Sequence, residues 1–327
     1  QVSCLLSNTE KKDLDKKVLS LAGPGKERQI SPFRSRASVK VQDGCNFQCT
    51  FCIIPSVRGK SVSFSKREIL AQIKGFIGQG FKEIVLTGIH ISSYGLDFNT
   101  KSSLLELLQE IEGLKGLAKL RLSSLDPRFL KPSLIKHITE SEKICPHFHL
   151  SLQSGSDDVL QRMGRKIGIE DYKNIIAGLR EKSPQASLGA DIIVGFPGES
   201  EDDFSQTYRF LEQSPLTYLH VFSYSPRPGT AASSWQQVNN KVKKERARLL
   251  RDLSLRKNMK FRQQFVGKEC EAIVIKKQKA GADVLTSNYL KVFVPSCPQD
   301  EGKEVRVKIK KVDAGKTTGQ IVNLPSS

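Results

Sequence analysis

The chain has 327 residues, with 52 Lys and Arg against 34 Asp and Glu, giving a formal charge of +18 and a pI near 9.6. Hydrophobic content of 38% and charged content of 26% suit a globular protein of about two domains. They exclude a membrane-spanning class, since the sequence has no run of the roughly 18 apolar residues a span needs, and no basic-then-apolar signal segment opens it.

So large a positive surplus steers polyanions to the surface, and without an amphipathic membrane anchor RNA or DNA is the expected partner. Seven cysteines, an odd number with three in one tight loop, argue against a disulfide framework and for a reducing, cytoplasmic compartment.

In chain order, residues 1–34 read as the end of a preceding unit followed by a linker, opening on Gln1-Val2-Ser3-Cys4 rather than on methionine. Ala37 to Val41 alternates in the manner of a strand and delivers the chain to Cys45-Asn46-Phe47-Gln48-Cys49-Thr50-Phe51-Cys52. Soft, anionic thiolates clustered on one loop suit one iron centre, and three ligands are one short of a closed zinc or electron-transfer site. His90, Cys145, His147 and His149 are too far along the chain to be obvious fourth ligands. An iron–sulfur cube held by three cysteines leaves one iron open to chelate a substrate; a zinc knuckle, or three unrelated buried cysteines, is the bland alternative.

Ser65-Lys66-Arg67-Glu68 is a capping-box pattern opening a helix whose apolar positions run from Ile69 to Ile77. Short strands are expected at Glu83 to Gly88, Lys119 to Ser123, His147 to Leu152, Ala186 to Val194 and Tyr218 to Tyr224. Helices are expected over Leu104 to Ile111, Leu134 to Ile138, Tyr172 to Leu179 and Phe204 to Leu211. With the first strand this is an α/β chain of six parallel β/α units: an incomplete (β/α)6 TIM-like barrel with its chemistry at the C-terminal strand ends, or else an open doubly wound sheet. Lys241 to Arg262 reads as a long helix with one apolar and one basic face, the latter either solvated surface or a phosphate contact. From Gly267 the period drops to two over five short strands. They predict a small all-β barrel whose Lys276, Lys277, Lys279, Lys308, Lys310 and Lys311 grip RNA, unless the barrel is only a stabilising appendage.

Four blocks, in order, carry a resemblance. They are Cys45 through Cys52 to Gly59; Leu150 to Asp157 with Met163-Gly164-Arg165; Ile193 to Glu199; and Phe222 to Thr230. The chain resembles the methylthiotransferase branch of the radical S-adenosylmethionine (SAM) enzymes over almost its whole length. The resemblance implies a radical SAM domain over 35–235, a basic connecting helix over 236–265 and a TRAM RNA-binding domain over 266–327. It implies a 4Fe-4S cluster with one open iron on Cys45, Cys49 and Cys52, SAM on that iron, a reducing electron donor and tRNA as partner. The cleaved SAM would take hydrogen from an unreactive carbon that then receives a methylthio group.

For SAM it implies strand-end backbone at Thr87 and Gly88, Phe51 against the adenine, and Gln153, Arg165 and Asp191 toward the carboxylate or ribose. Structural hydrogen bonds are the alternative for these three, and an RNA contact a further one for Arg165. Thr87-Gly88-Ile89 departs from the Gly-Gly-Glu of many relatives, so that contact would be mostly main chain. Full-length relatives carry an N-terminal domain with a second 4Fe-4S cluster. Gln1 to Gly25 is expected to be its last stretch, so this chain is expected to bind one cluster. The wording of the blocks looks most like the threonylcarbamoyladenosine tRNA enzymes, with the isopentenyladenosine enzymes next. A tRNA-binding protein with a purely structural metal is the reading from another class.

Overall fold

Ala37, Val39 and Val41 are buried on one side of the first strand while Ser38 and Lys40 on the other are exposed, and this alternation sets the architecture. A computed structural model describes residues 35–100 and 102–322; the remnant and linker expected before Ser35, with Cys4, lie outside the described residues. The strand β1 (Ala37–Asp43) is followed by α1 (Ile54–Arg58), β2 (Val62–Ser63), α2 (Lys66–Gly78) and β3 (Glu83–Gly88). Then come α3 (Leu104–Glu112), β4 (Lys119–Leu122), α4 (Pro132–Glu140), β5 (His147–Gln153), α5 (Asp157–Arg162), α6 (Ile169–Lys182), β6 (Ser187–Val194), α7 (Glu201–Gln213) and β7 (Tyr218–Ser223).

Caps explain several helix starts. Ser65 accepts from the Glu68 N–H and completes the expected box, Ser103 caps α3, and Ser200 with Asp203 boxes α7.

β1 pairs in parallel with β3, β3 with β4, β5 with β6 and β6 with β7; bridges Leu120–Ile144 and Leu125–Leu150 carry the order across from β4 to β5. Each parallel strand therefore lies beside its sequence neighbour with no reversal of order, as in a partial barrel and unlike a doubly wound sheet. β2 turns back antiparallel on β1. One continuous apolar core joins the outer strand faces (Val39, Ile84, Leu120, Phe148, Leu188, Leu219) to the helices. The other strand face lines the lumen with Ser38, Val85, Arg121, His147, His149 and His220.

α8 (Asn240–Gln263) runs along β7 and corrects the expectation of a simply two-faced helix. Lys243, Arg246 and Arg262 are buried. Arg246 donates to the Glu199 carboxylate at 2.7 Å and to main-chain oxygens of Glu199 and Ser200. Lys257 caps the end of α7 through the carbonyls of Glu212 and Ser214. These cations are structural, while Lys241, Lys244, Arg251 and Lys260 are exposed with no ion pair among the described residues.

The last five strands, β8 (Glu269–Gln278), β9 (Gly281–Thr286), β10 (Lys291–Val294), β11 (Glu304–Val312) and β12 (Thr317–Val322), close into a barrel in the order β10-β12-β11-β8-β9 around its own core. This barrel docks against the N-terminal ends of β4 and β5 of the larger one. Arg121 of β4, paired to Glu83 at 2.7 Å, also donates to the Ser287 and Thr286 carbonyls, and the Tyr289 ring stacks on His147 with centroids 4.0 Å apart.

Candidate active site

β1 ends at Asp43, and the chain must turn at once into the cysteine loop. Gly44 makes that turn at φ 67°, and a Cβ there would lie 2.0 Å from the Lys60 carbonyl, so only glycine fits. The far end of the loop is tied back by the Cys45 N–H donating to Gly59 O, and its middle by the Thr50 N–H donating to Met163 O. The three thiols are half-buried and free.

Burial pushes the Cys45 and Cys52 thiols up, while the backbone N–H groups of Phe47 and Ile54 and the nearby thiols act on the same sulfurs. Three half-buried thiols on one loop, with N–H donors at two of them, are a donor set that fits an iron–sulfur cluster, since such hydrogen bonds tune cluster potential. The other described cysteines are elsewhere, Cys145 buried ahead of β5 and Cys270 and Cys297 in the small barrel, and His90 Nε2 faces Asp126.

Two residues that sequence reasoning passed over hold this loop in place. Gln42 is fully buried; its amide donates to the Asp43 and Gly44 carbonyls and accepts from the His90 N–H at 2.7 Å, clamping β1 to the end of β3. Asp126, 2% exposed, gathers His90, Arg128 and Arg165 at 3.1, 2.6 and 3.1 Å. Burial opposes its ionisation, but His90 and the two guanidinium groups hold its carboxyl well below the usual range. Arg128 in turn lies 4.1 Å over the Phe47 ring of the cysteine loop. No local pattern announces Asp126, because Arg128 lies two residues on while His90 and Arg165 come from distant segments.

The expected SAM contacts divide. Gly88 closes β3 at the register position opposite Gln42, and the Thr87 hydroxyl donates to Val39 O. Gln153 ends β5 at φ 79°, a left-handed conformation uncommon outside glycine and of the kind that collects at functional sites. Phe51 meets Phe196 edge-on at 6.4 Å. Arg165 is buried on Asp126, the Ser151 carbonyl and Tyr172, so an RNA contact does not suit it.

Asp191 is not at a strand end. It lies within β6, about 10 Å short of the rim by strand rise, facing His149 at 2.9 Å and His220 at 3.5 Å. Burial opposes its ionisation, but those imidazoles bring the carboxyl down to about 2.

Behind that pair, Tyr218 Oη lies 2.8 Å from His147 Nε2 and 2.9 Å from His149 Nδ1. Burial, reinforced by Arg121, holds the His147 imidazole well below its ordinary value, so it folds neutral. Below about pH 6.5 the unfolded chain takes up a proton that the native site refuses. Stability is therefore expected to be full above that pH and to fall as pH drops, by up to about 1.4 kcal/mol per unit for this group. Denaturant melts from pH 7 to 5 should show a shallower decline in His147→Gln; an unchanged slope would assign the acid sensitivity elsewhere.

Comparison with known proteins agrees with this geometry. The model of the radical SAM superfamily matches residues 39–211. Threonylcarbamoyladenosine tRNA methylthiotransferase MtaB of Aquifex aeolicus is 43% identical over 275 residues, covering 84% of this chain and 65% of that protein. The tRNA-2-methylthio-N(6)-dimethylallyladenosine synthase of Acetivibrio thermocellus is 38% identical over 291 residues, covering 88% and 61%. The chain thus spans a little under two thirds of the length of these curated relatives. Among solved structures, the radical S-adenosylmethionine methyltransferase TsrM of Kitasatospora setae shares the fold, with a TM-score of 0.52 at 15% identity over 62% of this chain and 38% of that one. A superfamily match over more than half the chain, coinciding with a partial barrel that carries three thiols at its rim, settles the family: this chain belongs to the radical SAM superfamily.

Proposed function

We propose that the chain is the SAM-cleaving and RNA-holding part of a tRNA methylthiotransferase acting at C2 of N6-threonylcarbamoyladenosine beside the anticodon. The observation that carries this reading is the 43% identity to an enzyme of that name, extending over 84% of the chain rather than over the cysteine loop alone. Cys45, Cys49 and Cys52 would hold a 4Fe-4S cluster with one iron open to SAM. When bound and reduced by an external electron donor, the cluster would supply the one electron that cleaves SAM, giving a carbon radical able to take hydrogen from an aromatic C–H, which has no useful acidity for a general base.

The protein's own work is positioning. Gln42 and Asp126 fix the loop against the ends of β3 and β4. The main chain at Thr87 and Gly88, with Gln153, Arg165 and the Phe51 ring, forms the rim on which SAM would lie. Tyr289 and Arg121 tie the small barrel to the opposite end of the larger one. Exposed lysines 276, 279 and 310 of the small barrel, with Lys241, Lys244 and Arg251 of α8, offer the tRNA phosphates a basic surface.

Hydrogen abstraction gives the test. Cluster-loaded chain is incubated with SAM, a reductant and tRNA bearing deuterium at C2 of threonylcarbamoyladenosine, and deuterium should appear in the 5′-deoxyadenosine formed. The 38% identity to the dimethylallyladenosine synthase supports a second reading, and transfer only from tRNA carrying that base would select it. Transfer from neither would contradict both.

A further inference from the structure

The lumen holds a constellation that SAM cleavage does not use. His149 of β5, Asp191 of β6 and His220 of β7 come from three neighbouring parallel strands, with Asp191 and His220 directly opposite in register. One ligand atom from each lies within 4.8 Å of the others. Asp191 Oδ1 is 2.9 Å from His149 Nε2 and 3.5 Å from His220 Nδ1. Ligand atoms around a tetrahedral ion with bonds of about 2.1 Å sit about 3.4 Å apart, close to the Asp191–His220 separation and about 0.5 Å beyond the Asp191–His149 one, so side-chain adjustment within strands already in register suffices.

We propose that His149, Asp191 and His220 form a two-histidine, one-carboxylate site for a divalent transition ion, within the barrel lumen and separate from the cysteine loop.

Three further features suit an ion rather than a closed hydrogen-bond network. First, Asp191 has no Lys or Arg within ion-pair distance among the described residues, whereas Asp126 has two guanidinium partners. A carboxylate met only by imidazoles offers its charge to a cation. Second, the outer sphere is built: His149 Nδ1 lies 2.9 Å from Tyr218 Oη, the arrangement that fixes ring and tautomer in histidine metal sites. Tyr218 reaches that place because its ring occupies the side-chain space of Gly189, where a Cβ would lie 2.0 Å from Cζ. Third, the remaining coordination positions are accessible. His149 and His220 both line the lumen cavity of about 520 Å³, and the His220 side chain is 56% exposed. Water or an oxygen or nitrogen donor of a ligand would complete the shell. Two imidazoles and a carboxylate select zinc, iron(II) or a similar ion over calcium or magnesium.

Zinc is the probe. The full chain is first loaded anaerobically with its iron–sulfur cluster, so that the loop thiols are occupied, and then titrated with zinc against a chromophoric chelator. The wild type should take up one zinc more than His220→Ala or Asp191→Asn, whose affinity at this site should fall at least tenfold while their iron content stays equal to wild type. His220 is exposed enough to be replaced without unfolding the strand, and Asp191→Asn preserves shape. Equal zinc uptake by wild type and both variants would overturn the proposal and leave a hydrogen-bonded triad, which is unrelated to whether the chain cleaves SAM.

Discussion

Cys49→Ala is expected to bring the iron bound after anaerobic reconstitution from about four per chain to near zero, because two thiolates cannot retain a cube that three hold. SAM cleavage should vanish with it. Binding of tRNA should persist within a few fold, since the exposed lysines at positions 276, 279 and 310 and the free cations of α8 are on other elements. Iron content and tRNA binding by gel shift check both halves. An equal loss of RNA binding would show that the loop is a structural metal knuckle on which the fold depends. Retained iron in the variant would show that Cys49 is not a ligand.

The second large effect is expected at Asp126. Asp126→Ala removes the common partner of Arg165, Arg128 and His90, and Arg165 is itself only 8% exposed. Removing one member of a buried ion pair strands the other, at a cost of about 3–5 kcal/mol. Chemical denaturation of the cluster-free chain should register that loss. Reconstituted iron should fall as well, because Arg128 no longer holds the Phe47 ring of the loop. Asp126→Asn, which keeps shape and some hydrogen bonds, should lose less. A change under 1 kcal/mol in Asp126→Ala would show that the hub is solvated rather than structural.

Much of this was legible in the sequence because it is local. The strand and helix periods from Ala37 to Val322 locate both barrels, and Ser65 with Glu68 announces its helix by the capping box alone. The cysteine loop needs no tertiary information to be recognised. What escaped was either short or assembled from afar. α1 and α5 are five and six residues long, too short for an apolar period to emerge. The charge of α8 reads as a sign without partners, so the buried pairing of Arg246 with Glu199 and the capping role of Lys257 were invisible.

The His149, Asp191 and His220 triad is likewise beyond pattern reading, since only the parallel register of β5, β6 and β7 unites residues so far apart in sequence. The docking of the small barrel through Tyr289 and Arg121 depends on side chains that look, in sequence, like any aromatic and any surface cation.

If the three cysteines at the barrel rim hold a cluster that cleaves SAM, the chain must form 5′-deoxyadenosine when reduced. The most direct measurement supplies the anaerobically reconstituted full chain with SAM and dithionite and follows 5′-deoxyadenosine by mass spectrometry. Time-dependent product that is absent from Cys49→Ala is the predicted result. Absence of product from a chain shown to carry its cluster would contradict that role and leave a metal-stabilised RNA-binding protein.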